Sequence, residues 1–301
     1  MIKYWKNNDK TIANTFAYER QTIMKVVIGI DVGGSTTKIV GFKDEDGKKT
    51  LIQPIFVRAT DPTTSIYGAF GRFTSENGFE LSDIDRIMLT GAGSASITKP
   101  LYGLKCEHVP EFSCIGRGGI YLSGLDEAIV VSMGTGTALI HSGKDGTLEY
   151  LGGTGVGGGT LVGLSRQMLG MSEIKHIEEI CEGGDLGKID LRVRDIVKSS
   201  YTDMSDDLTA ANFGNVSDIA TKSDIALGIV NMVSETIAMM SIFAARNYGL
   251  KDIVLTGNLT TMKPVRKVFS DMQPIFGVNF IIPENAQFGT VIGTALGGIS
   301  K

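Results

Sequence analysis

Runs of β-branched residues that end at glycines set the hydrophobic pattern of the chain from residue 25 onward. The run 25–30 is a stretch rich in β-branched residues that ends at Asp31 and two glycines, which predicts a buried strand that meets a tight turn. A second strand over 37–42 and a third over 51–57 flank a charged turn at 43–49. The opening is therefore predicted as an antiparallel meander, which excludes a Rossmann-type start.

The same layout returns further along the chain. An apolar run at 127–132 ends in a turn at 133–137 that carries glycine and threonine, and the chain turns back through 138–142. Between the two occurrences the pattern predicts a helix near 63–77 and a strand at 86–90. Two similar halves are therefore expected.

Glycines separate the elements that follow. A glycine block at 152–159 leads into a predicted helix at 160–169, which Gly170 would close as its C′ residue. Ser172 is the expected N-cap of a short helix that ends near 183–184.

A long apolar helix dominates the last third of the chain. Ser223 is its expected N-cap and it runs to Tyr248; a strand at 252–256 and a last helix from about Phe288 follow. Because the long helix is apolar on most faces, it is buried either in the core or in a subunit interface, and the pattern leaves both open.

Composition narrows the class of protein. Among 301 residues, 42% are hydrophobic and 21% charged, with a net charge of −4, which excludes a disordered chain and a basic nucleic-acid surface. Three cysteines (Cys106, Cys114 and Cys181) and three histidines match no metal spacing, which indicates a reducing cytosol and no structural metal. Glycine is unusual, since 39 residues are about twice the usual share of roughly 7%.

Neither a membrane span nor a secretion signal is predicted. The longest apolar stretch, 225–245, is interrupted by polar residues, and segment 1–23 lacks the apolar core of a signal peptide. We expect a cytoplasmic protein. Segment 1–23 is either an N-terminal extension or a sign that the chain starts at Met24, and both alternatives stay open.

The glycines lie at the ends of predicted strands, in turns that also carry serine or threonine. Four such turns occur, at 31–38, 134–137, 152–159 and 256–258. A single turn of this kind is more often a plain hairpin, but several in one chain favour anion nests that surround a polyphosphate. None fits the P-loop pattern, and no strand and acidic residue follow to complete a dinucleotide fingerprint.

Two side chains at the first turn are candidates for this chemistry. Asp31 stands where a strand ends, a position from which a carboxylate can hold Mg²⁺ through water; the alternative is a local turn-forming bond. Lys38 either contacts a phosphate or lies on the surface of the second strand.

Six motifs together resemble a known family. They are IGIDVGGSTTK at 28–38, PEFSCIGRGG at 110–119, VSMGTGTALI at 131–140, GGTGVGGGTLVGL at 152–164, DLTAANFG at 207–214 and ENAQFGTVIGTALG at 284–297. The set resembles the actin-like ATPase superfamily of sugar kinases, Hsp70 and actin, and within it type II pantothenate kinases. The glycine block and DLTAANFG are its most specific parts.

The resemblance implies both a fold and an activity. The fold is α/β, with two ribonuclease H-like lobes at 24–125 and 126–301, a nucleotide cleft between them, and a last helix that packs back toward the first lobe. The activity is phosphorylation of the primary hydroxyl of pantothenate by ATP with Mg²⁺, giving 4′-phosphopantothenate, the first step of coenzyme A synthesis. A homodimer through the long helix at 223–248 is expected, with no nucleic acid or membrane as partner.

The resemblance also implies roles for individual residues. Glu111 matches the catalytic glutamate and Asp31 the acid that holds Mg²⁺ through water, although without the family Glu111 is only an acid after a proline. The implied ATP and phosphate contacts are Gly33, Gly34, Ser35, Thr36, Lys38, Gly134, Thr135, Gly155, Gly157, Gly158, Gly159, Thr160, Phe213, Gly214 and Gly257. The implied substrate contacts are Ser132, Thr135, Thr137, Arg117 and Tyr150.

Tyr150 departs from the family pattern. The family usually carries an arginine here, just before the GGTG block, which can pair with the substrate carboxylate, and a tyrosine makes no charged fork. Arg117, Arg166, or a tyrosine hydroxyl with backbone donors could take over that role. Arg117 has two further interpretations: it neutralises phosphate charge, or it caps a helix.

Three other functions compete with a pantothenate kinase. Tyr150 keeps open a kinase of the same fold that acts on a pantothenamide-like alcohol or a sugar. An ATP-driven activator of a 2-hydroxyacyl-CoA dehydratase would hold an iron–sulfur cluster between subunits and so needs closely placed thiolates. An inactive member of the superfamily is the third, against which intact Asp31 and Glu111 argue.

Overall fold

Twelve strands and eight helices are present in the computed structural model, which describes residues 25–34, 36–45, 48–58, 61–197 and 205–299. The predicted extension at 1–23 and Ser35 lie outside these ranges. The strands are β1 (Lys25–Val32), β2 (Thr37–Glu45), β3 (Lys48–Val57), β4 (Ile84–Thr90), β5 (Cys106–His108), β6 (Glu127–Met133), β7 (Thr137–Gly143), β8 (Leu148–Thr154), β9 (Leu191–Arg192), β10 (Thr209–Ala211), β11 (Asp252–Thr256) and β12 (Asn279–Ile281). The helices are α1 (Pro62–Asn77), α2 (Glu111–Ser123), α3 (Gly158–Leu169), α4 (Ile174–Cys181), α5 (Val193–Ile196), α6 (Lys222–Asn247), α7 (Lys263–Phe276) and α8 (Gly289–Gly297).

Two five-stranded sheets with the same topology organise the molecule. The first has the order β3-β2-β1-β4-β5 and the second β8-β7-β6-β11-β12, with β9 and β10 forming a separate ribbon. In each sheet the first three strands are antiparallel and the last two join in parallel. The repeated layout predicted from the sequence is confirmed.

Alternating side chains bury both faces of each sheet. In the first sheet, Ile28 and Ile30 pack with Phe70 and Phe73 of α1, while Val40 and Phe42 belong to a cluster with α8. In the second sheet, residues such as Val131 pack on α6, and Val130 on the opposite face packs with Ile115 and Ile120 of α2. Because successive side chains of a strand point to opposite faces, each sheet is covered by one helix on each face: α1 and α8 on the first sheet, and α6 and α2 on the second.

Helices α2 and α8 cross each other with their backbones in contact. A Cβ atom on Gly118 would overlap the carbonyl oxygen of Gly289, and a Cβ on Gly293 would overlap that of Cys114. Although α2 precedes the second sheet in the chain, it packs on β6 and β7, whereas α8 from the C-terminal end packs on β1 and β2. The crossing therefore joins the two sheets.

Most predicted elements are confirmed, but the two predicted N-caps are wrong. Helix α6 is capped by Thr221 rather than Ser223, because Thr221 and Asp224 form a reciprocal capping box. Helix α4 begins after Glu173 rather than Ser172, and it ends at Cys181, before the glycines at 183–184. Both errors place the helix start one or two residues away, as short-range cap signals often do.

Helices α2 and α7 are absent from the sequence predictions. Three glycines inside α2 lower its helix propensity, and α7 contains two prolines, one at its start and Pro274 inside it. Tertiary packing overrides these local preferences, since α2 is held between the second sheet and α8.

Helix α6 is the long apolar helix of the sequence. Among the described residues, it alone is long and apolar enough to cross a bilayer by length and composition. However, 61% of its most apolar window is buried inside the protein. Val230, Val233 and Ile237 lie in the core of the second half, which corresponds to the core alternative.

We predict that Thr221→Ala lowers the free energy of unfolding by about 1 kcal/mol, because it removes the N-cap of α6. Ser223→Ala is the matched control and should change it by less than about 0.5 kcal/mol. Urea denaturation followed by circular dichroism measures both. A larger loss in the Ser223 variant would contradict the capping assignment.

We predict that Gly293→Ala destabilises the protein by about 2 kcal/mol or more, because the new methyl group meets the backbone of α2, which cannot move aside. Gly68→Ala in α1 is the control, since its Cβ would enter open space, and it should stabilise by about 0.5–1 kcal/mol. Differential scanning calorimetry compares the two variants. A Gly293 variant as stable as wild type would show that the crossing is loose.

Candidate active site

A cleft of about 520 Å³ lies where the equivalent ends of the two sheets face each other. The β1–β2 turn and the start of α2 form one wall, and the β6–β7 turn, the end of β8 and the turn after β11 form the other. Of the residues predicted for the site, it brings together Asp31, Gly33, Gly34, Thr36, Lys38, Glu111, Ser132, Gly134, Thr135, Thr137, Tyr150, Gly155 and Gly257.

Asp31 and Lys38 lie opposite each other at the base of the cleft. They form a cross-strand pair in the antiparallel register of β1 and β2. Burial raises the pKa of Asp31, and the positive charge of Lys38 partly opposes that shift. Burial likewise lowers the pKa of Lys38, whose ammonium donates a 2.6 Å hydrogen bond to the carbonyl of Gln287. The lysine is therefore an internal group of the cleft rather than a surface residue.

Glu111 is the first residue of α2 and faces the cleft. Pro110 occupies the N-cap position of this helix without a side-chain hydrogen bond, so the Glu111 carboxylate stands at the positive end of the helix dipole. Desolvation by the surrounding walls and the negative charge of Asp31 raise the pKa of Glu111. A carboxylate with a raised pKa accepts a proton more readily than an ordinary glutamate.

The β6–β7 turn supplies backbone and hydroxyl groups to the opposite wall. Ser132, Gly134 and Thr135 line the cleft, and Thr137 donates its hydroxyl to the carbonyl of Val156. The turn is closed by a 2.9 Å hydrogen bond from the Gly134 amide to the Gly136 carbonyl. Groups of this kind can bind the oxygens of a phosphate.

The glycine block after β8 supports this turn. The amides of Gly158 and Gly159 donate to the carbonyls of Gly134 and Thr135 at 2.9 and 2.8 Å. The Thr160 hydroxyl donates to the carbonyl of Gly155. Of this block, which the resemblance assigns to contacts with ATP, Gly155 lines the cleft. The amides of Gly158 and Gly159 are bonded to the turn, and Gly157 and Thr160, bonded to each other, also lie outside the lining.

Gly257 completes the second wall. Its φ of +92° is a conformation that favours glycine, and a Cβ there would lie 2.5 Å from the carbonyl oxygen of Met133. The neighbouring Asn258 also lines the cleft. The turn after β11 therefore approaches the β6–β7 turn as closely as the backbone allows.

Comparison with known proteins decides the family. A family model described as Fumble matches residues 126–270. A type II pantothenate kinase of Staphylococcus saprophyticus is 31% identical over 279 residues, which cover 89% of this chain and 98% of that protein. This chain belongs to the type II pantothenate kinase family.

Solved structures confirm the two-lobed actin-like fold. The activator of the 2-hydroxyisocaproyl-CoA dehydratase from Clostridium difficile, solved with bound ADPNP, matches with a TM-score of 0.64 and 14% identity over 90% of this chain and 93% of that one. A ROK family glucokinase from Streptomyces griseus, in complex with glucose and AMPPNP, gives a TM-score of 0.52 and 13% identity over 90% and 98%. At these identities the likeness concerns the fold alone.

The cysteines of this type II pantothenate kinase family member do not resemble a cluster site. Cys106 lies in β5, Cys114 is fully buried in α2 and Cys181 is buried in α4. Burial raises the pKa of Cys114, and it raises that of Cys181 to about 12. Thiolates on one exposed face are what a shared iron–sulfur cluster needs, so the activator alternative is not favoured.

Three further predicted residues lie outside the cleft lining in this family member. Arg117 points toward the end of α8, where its Nη1 atom would lie 3.1 Å from a Cβ on Gly297. The Phe213 amide donates to Asp190, and Gly214 packs on Ala211. The DLTAANFG segment is therefore anchored to α6 through Asp190, which also accepts a hydrogen bond from Asn231.

The sequence did not predict several residues of the cleft, among them Gly91 and Phe112. Gly91 follows β4 with a φ of +86°, and a Cβ there would lie 2.6 Å from a carboxylate oxygen of Asp31. Its position directly after a predicted strand was the available signal. Phe112 also lines the cleft, and nothing in its local sequence distinguishes it.

The protein supplies only part of the donor set that a magnesium ion needs, and water and the phosphates of a bound nucleotide would supply the rest. No group of three or more His, Cys, Asp or Glu residues that could hold a metal occurs in the described ranges. Mg²⁺ commonly takes one or two carboxylates together with water and substrate phosphates. Asp31, buried beside the phosphate-type turns, fits that donor set.

Proposed function

We propose that this protein transfers the γ-phosphoryl group of ATP to the primary hydroxyl of pantothenate, giving 4′-phosphopantothenate and ADP in the first step of coenzyme A biosynthesis. The observation that carries the proposal is that Glu111 and Asp31 share one cleft with the β1–β2 and β6–β7 turns. Membership in the type II pantothenate kinase family supports the same activity. The sugar-kinase and activator alternatives are not favoured.

Glu111 is the proposed catalytic base. As the bond from the substrate oxygen to the γ-phosphorus forms and the bond to the β–γ bridging oxygen breaks, the hydroxyl proton passes to the Glu111 carboxylate. The raised pKa of Glu111 suits this transfer, because the carboxylate binds a proton more readily than an ordinary glutamate does. Its place at the start of α2 fixes the direction from which it approaches the hydroxyl.

The turns orient the phosphates in this proposal. Gly33, Gly34 and Thr36 line one wall and Gly134 and Thr135 the other, so that oxygens of one polyphosphate meet hydroxyl and backbone donors of both turns. The amides of Gly33 and Gly134 are bonded within their own turns and hold the shape of those turns. Lys38 adds positive charge at the base of the cleft. Phosphoryl transfer depends mainly on position and charge, which these groups supply.

Asp31 is the proposed magnesium residue, acting through bound water. When bound, Mg²⁺ neutralises charge on the phosphate oxygens. Gly257 and Asn258 are proposed to lie beside the adenosine, and Ser132, Thr137 and Tyr150 beside the acceptor. We propose that the two lobes span 24–125 and 126–301. We also propose that the protein is cytoplasmic and binds small molecules rather than nucleic acid or a membrane.

A homodimer through α6 is also proposed. Although most of the helix is core, one strip remains uncovered: Met239 and Met240 are partly exposed, and Phe243 is 59% exposed. Large apolar side chains that stand together on one helix face are typical of a subunit contact.

We predict that Glu111→Gln lowers kcat at least about a hundredfold with little change in the KM for ATP, because the proton acceptor is lost. Formation of phosphopantothenate from Mg-ATP and pantothenate, coupled to ADP detection, measures it. Glu179→Gln, an exposed change on α4, is the control and should retain wild-type activity.

The wild-type pH profile tests the same assignment. Since the pKa of Glu111 is raised, kcat/KM should fall as pH drops through a value above the ordinary 4.5 of glutamate. Retained activity in Glu111→Gln would exclude the general-base role. Absence of turnover at millimolar pantothenate, with turnover of another alcohol, would exclude the substrate and keep the kinase.

We predict that Phe243→Glu shifts the sedimentation coefficient from that of a dimer to that of a monomer at micromolar concentration, because it places a charge in the proposed contact. Ile196→Glu, at another exposed apolar position, should leave the dimer intact. Wild-type protein that sediments as a monomer would refute the proposed dimer.

A further inference from the structure

The acceptor end of the cleft has an aromatic wall. Phe112 and Tyr150 stack with their ring centroids 3.9 Å apart and their planes 12° from parallel. Both rings line the cleft next to Glu111, and they remain 42% and 50% exposed. An alcohol whose hydroxyl reaches Glu111 therefore lies beside an apolar surface.

No free cation faces this wall among the residues that the structure describes. Lys38 is the single cationic side chain that lines the cleft, and its ammonium is held by the Gln287 carbonyl beside Asp31. Arg117 points toward Gly297, and Arg166 lies on the exposed side of α3 outside the lining. Neither arginine provides a charged fork for a carboxylate in this arrangement.

The acidic groups around the wall act in the opposite direction. Glu111 and Asp31 line the same cleft, and Glu149 lies just behind Tyr150 in a neighbouring cleft, where its carboxylate bonds to Tyr248. A carboxylate placed against the rings would lose water without gaining a positive partner, and it would face like charges. An uncharged amide of the same shape escapes both penalties.

The neighbouring cleft leaves room for such an amide to extend. Tyr150 and Gly153 line both clefts, so the two meet at the aromatic wall. Beyond Tyr150 the second cleft is lined by Leu139, Leu151 and Ala244. A substituent on the amide nitrogen could therefore pass Tyr150 and contact apolar side chains.

We infer that the preferred acceptor of this site is an uncharged amide of pantothenate rather than the free acid, and that Tyr150, stacked on Phe112, sets this preference. The inference rests on the proposed function, since it assumes phosphoryl transfer to the same primary hydroxyl. Pantothenate remains an acceptor, but a poorer one. Bond making, bond breaking and proton transfer to Glu111 are the same for both compounds.

Steady-state kinetics of the wild-type protein with Mg-ATP and either pantothenate or N-ethylpantothenamide tests the inference directly. We expect kcat/KM to be about tenfold or more higher for the amide, with the difference mainly in KM, because the carboxylate lacks a charged partner. This comparison needs no variant.

Tyr150→Arg should reverse the preference. The new guanidinium can pair with the carboxylate, so KM for pantothenate should fall about tenfold or more while kcat changes little. KM for the amide should not fall. Met168→Arg adds the same charge on an exposed part of α3, outside the cleft, and should leave the ratio of the two substrates unchanged.

The possible outcomes separate the inferred substrate preference from the proposed function. Wild-type protein that uses pantothenate as well as or better than the amide overturns the inference and leaves the proposed function intact. A Tyr150→Arg variant with an unchanged substrate ratio overturns the role of Tyr150. Turnover of neither compound contradicts both the proposed function and the inference.

Discussion

The architecture depends on the direct backbone contact between α2 and α8. Gly118 and Gly293 allow it, since any side chain at either position would overlap a carbonyl of the other helix. Each helix is bound by apolar side chains to a different sheet, α2 to the second and α8 to the first. The separation of the two sheets, and with it the width of the cleft, is therefore set by backbone-to-backbone packing. Such packing cannot adjust through changes of side-chain rotamer.

The same contact relates the two acidic groups of the site. Asp31 stands near the end of β1, and Gly29 in that strand lies so near α8 that a Cβ would be 2.6 Å from the carbonyl of Val291. Glu111 is the first residue of α2. A continuous path of close backbone packing thus runs from β1 through α8 to α2. It holds the two carboxylates near enough for Asp31 to raise the pKa of Glu111.

Glycine serves two different purposes in this molecule. At Gly257 and Gly91 it permits a left-handed turn against the cleft, whereas at Gly118 and Gly293 it permits close helix packing. Gly158 and Gly159 have a different role. Their amides are bonded to carbonyls of the β6–β7 turn and are therefore not available to a phosphate. A glycine-rich segment beside a nucleotide cleft can therefore act as a brace for the turn that contacts the ligand.

The amino-acid sequence by itself determined the local elements and the type of chemistry. Period-2 strands, glycine turns and an acid after β1 carry short-range signals, and these predicted the repeated sheets, Gly170 as a helix end and Asp31 beside a phosphate-type turn. Glu111, which also lines the cleft, was indicated only by the resemblance to a family. Only the tertiary structure decided which of these groups meet. It excluded Phe213 and Gly214 from the cleft, turned Arg117 away from it, and stacked Tyr150 on Phe112. Such outcomes depend on contacts between residues distant in the chain, such as Asp190 with Asn231 or Gly118 with Gly289, and the periodicity of a single segment contains no information about them.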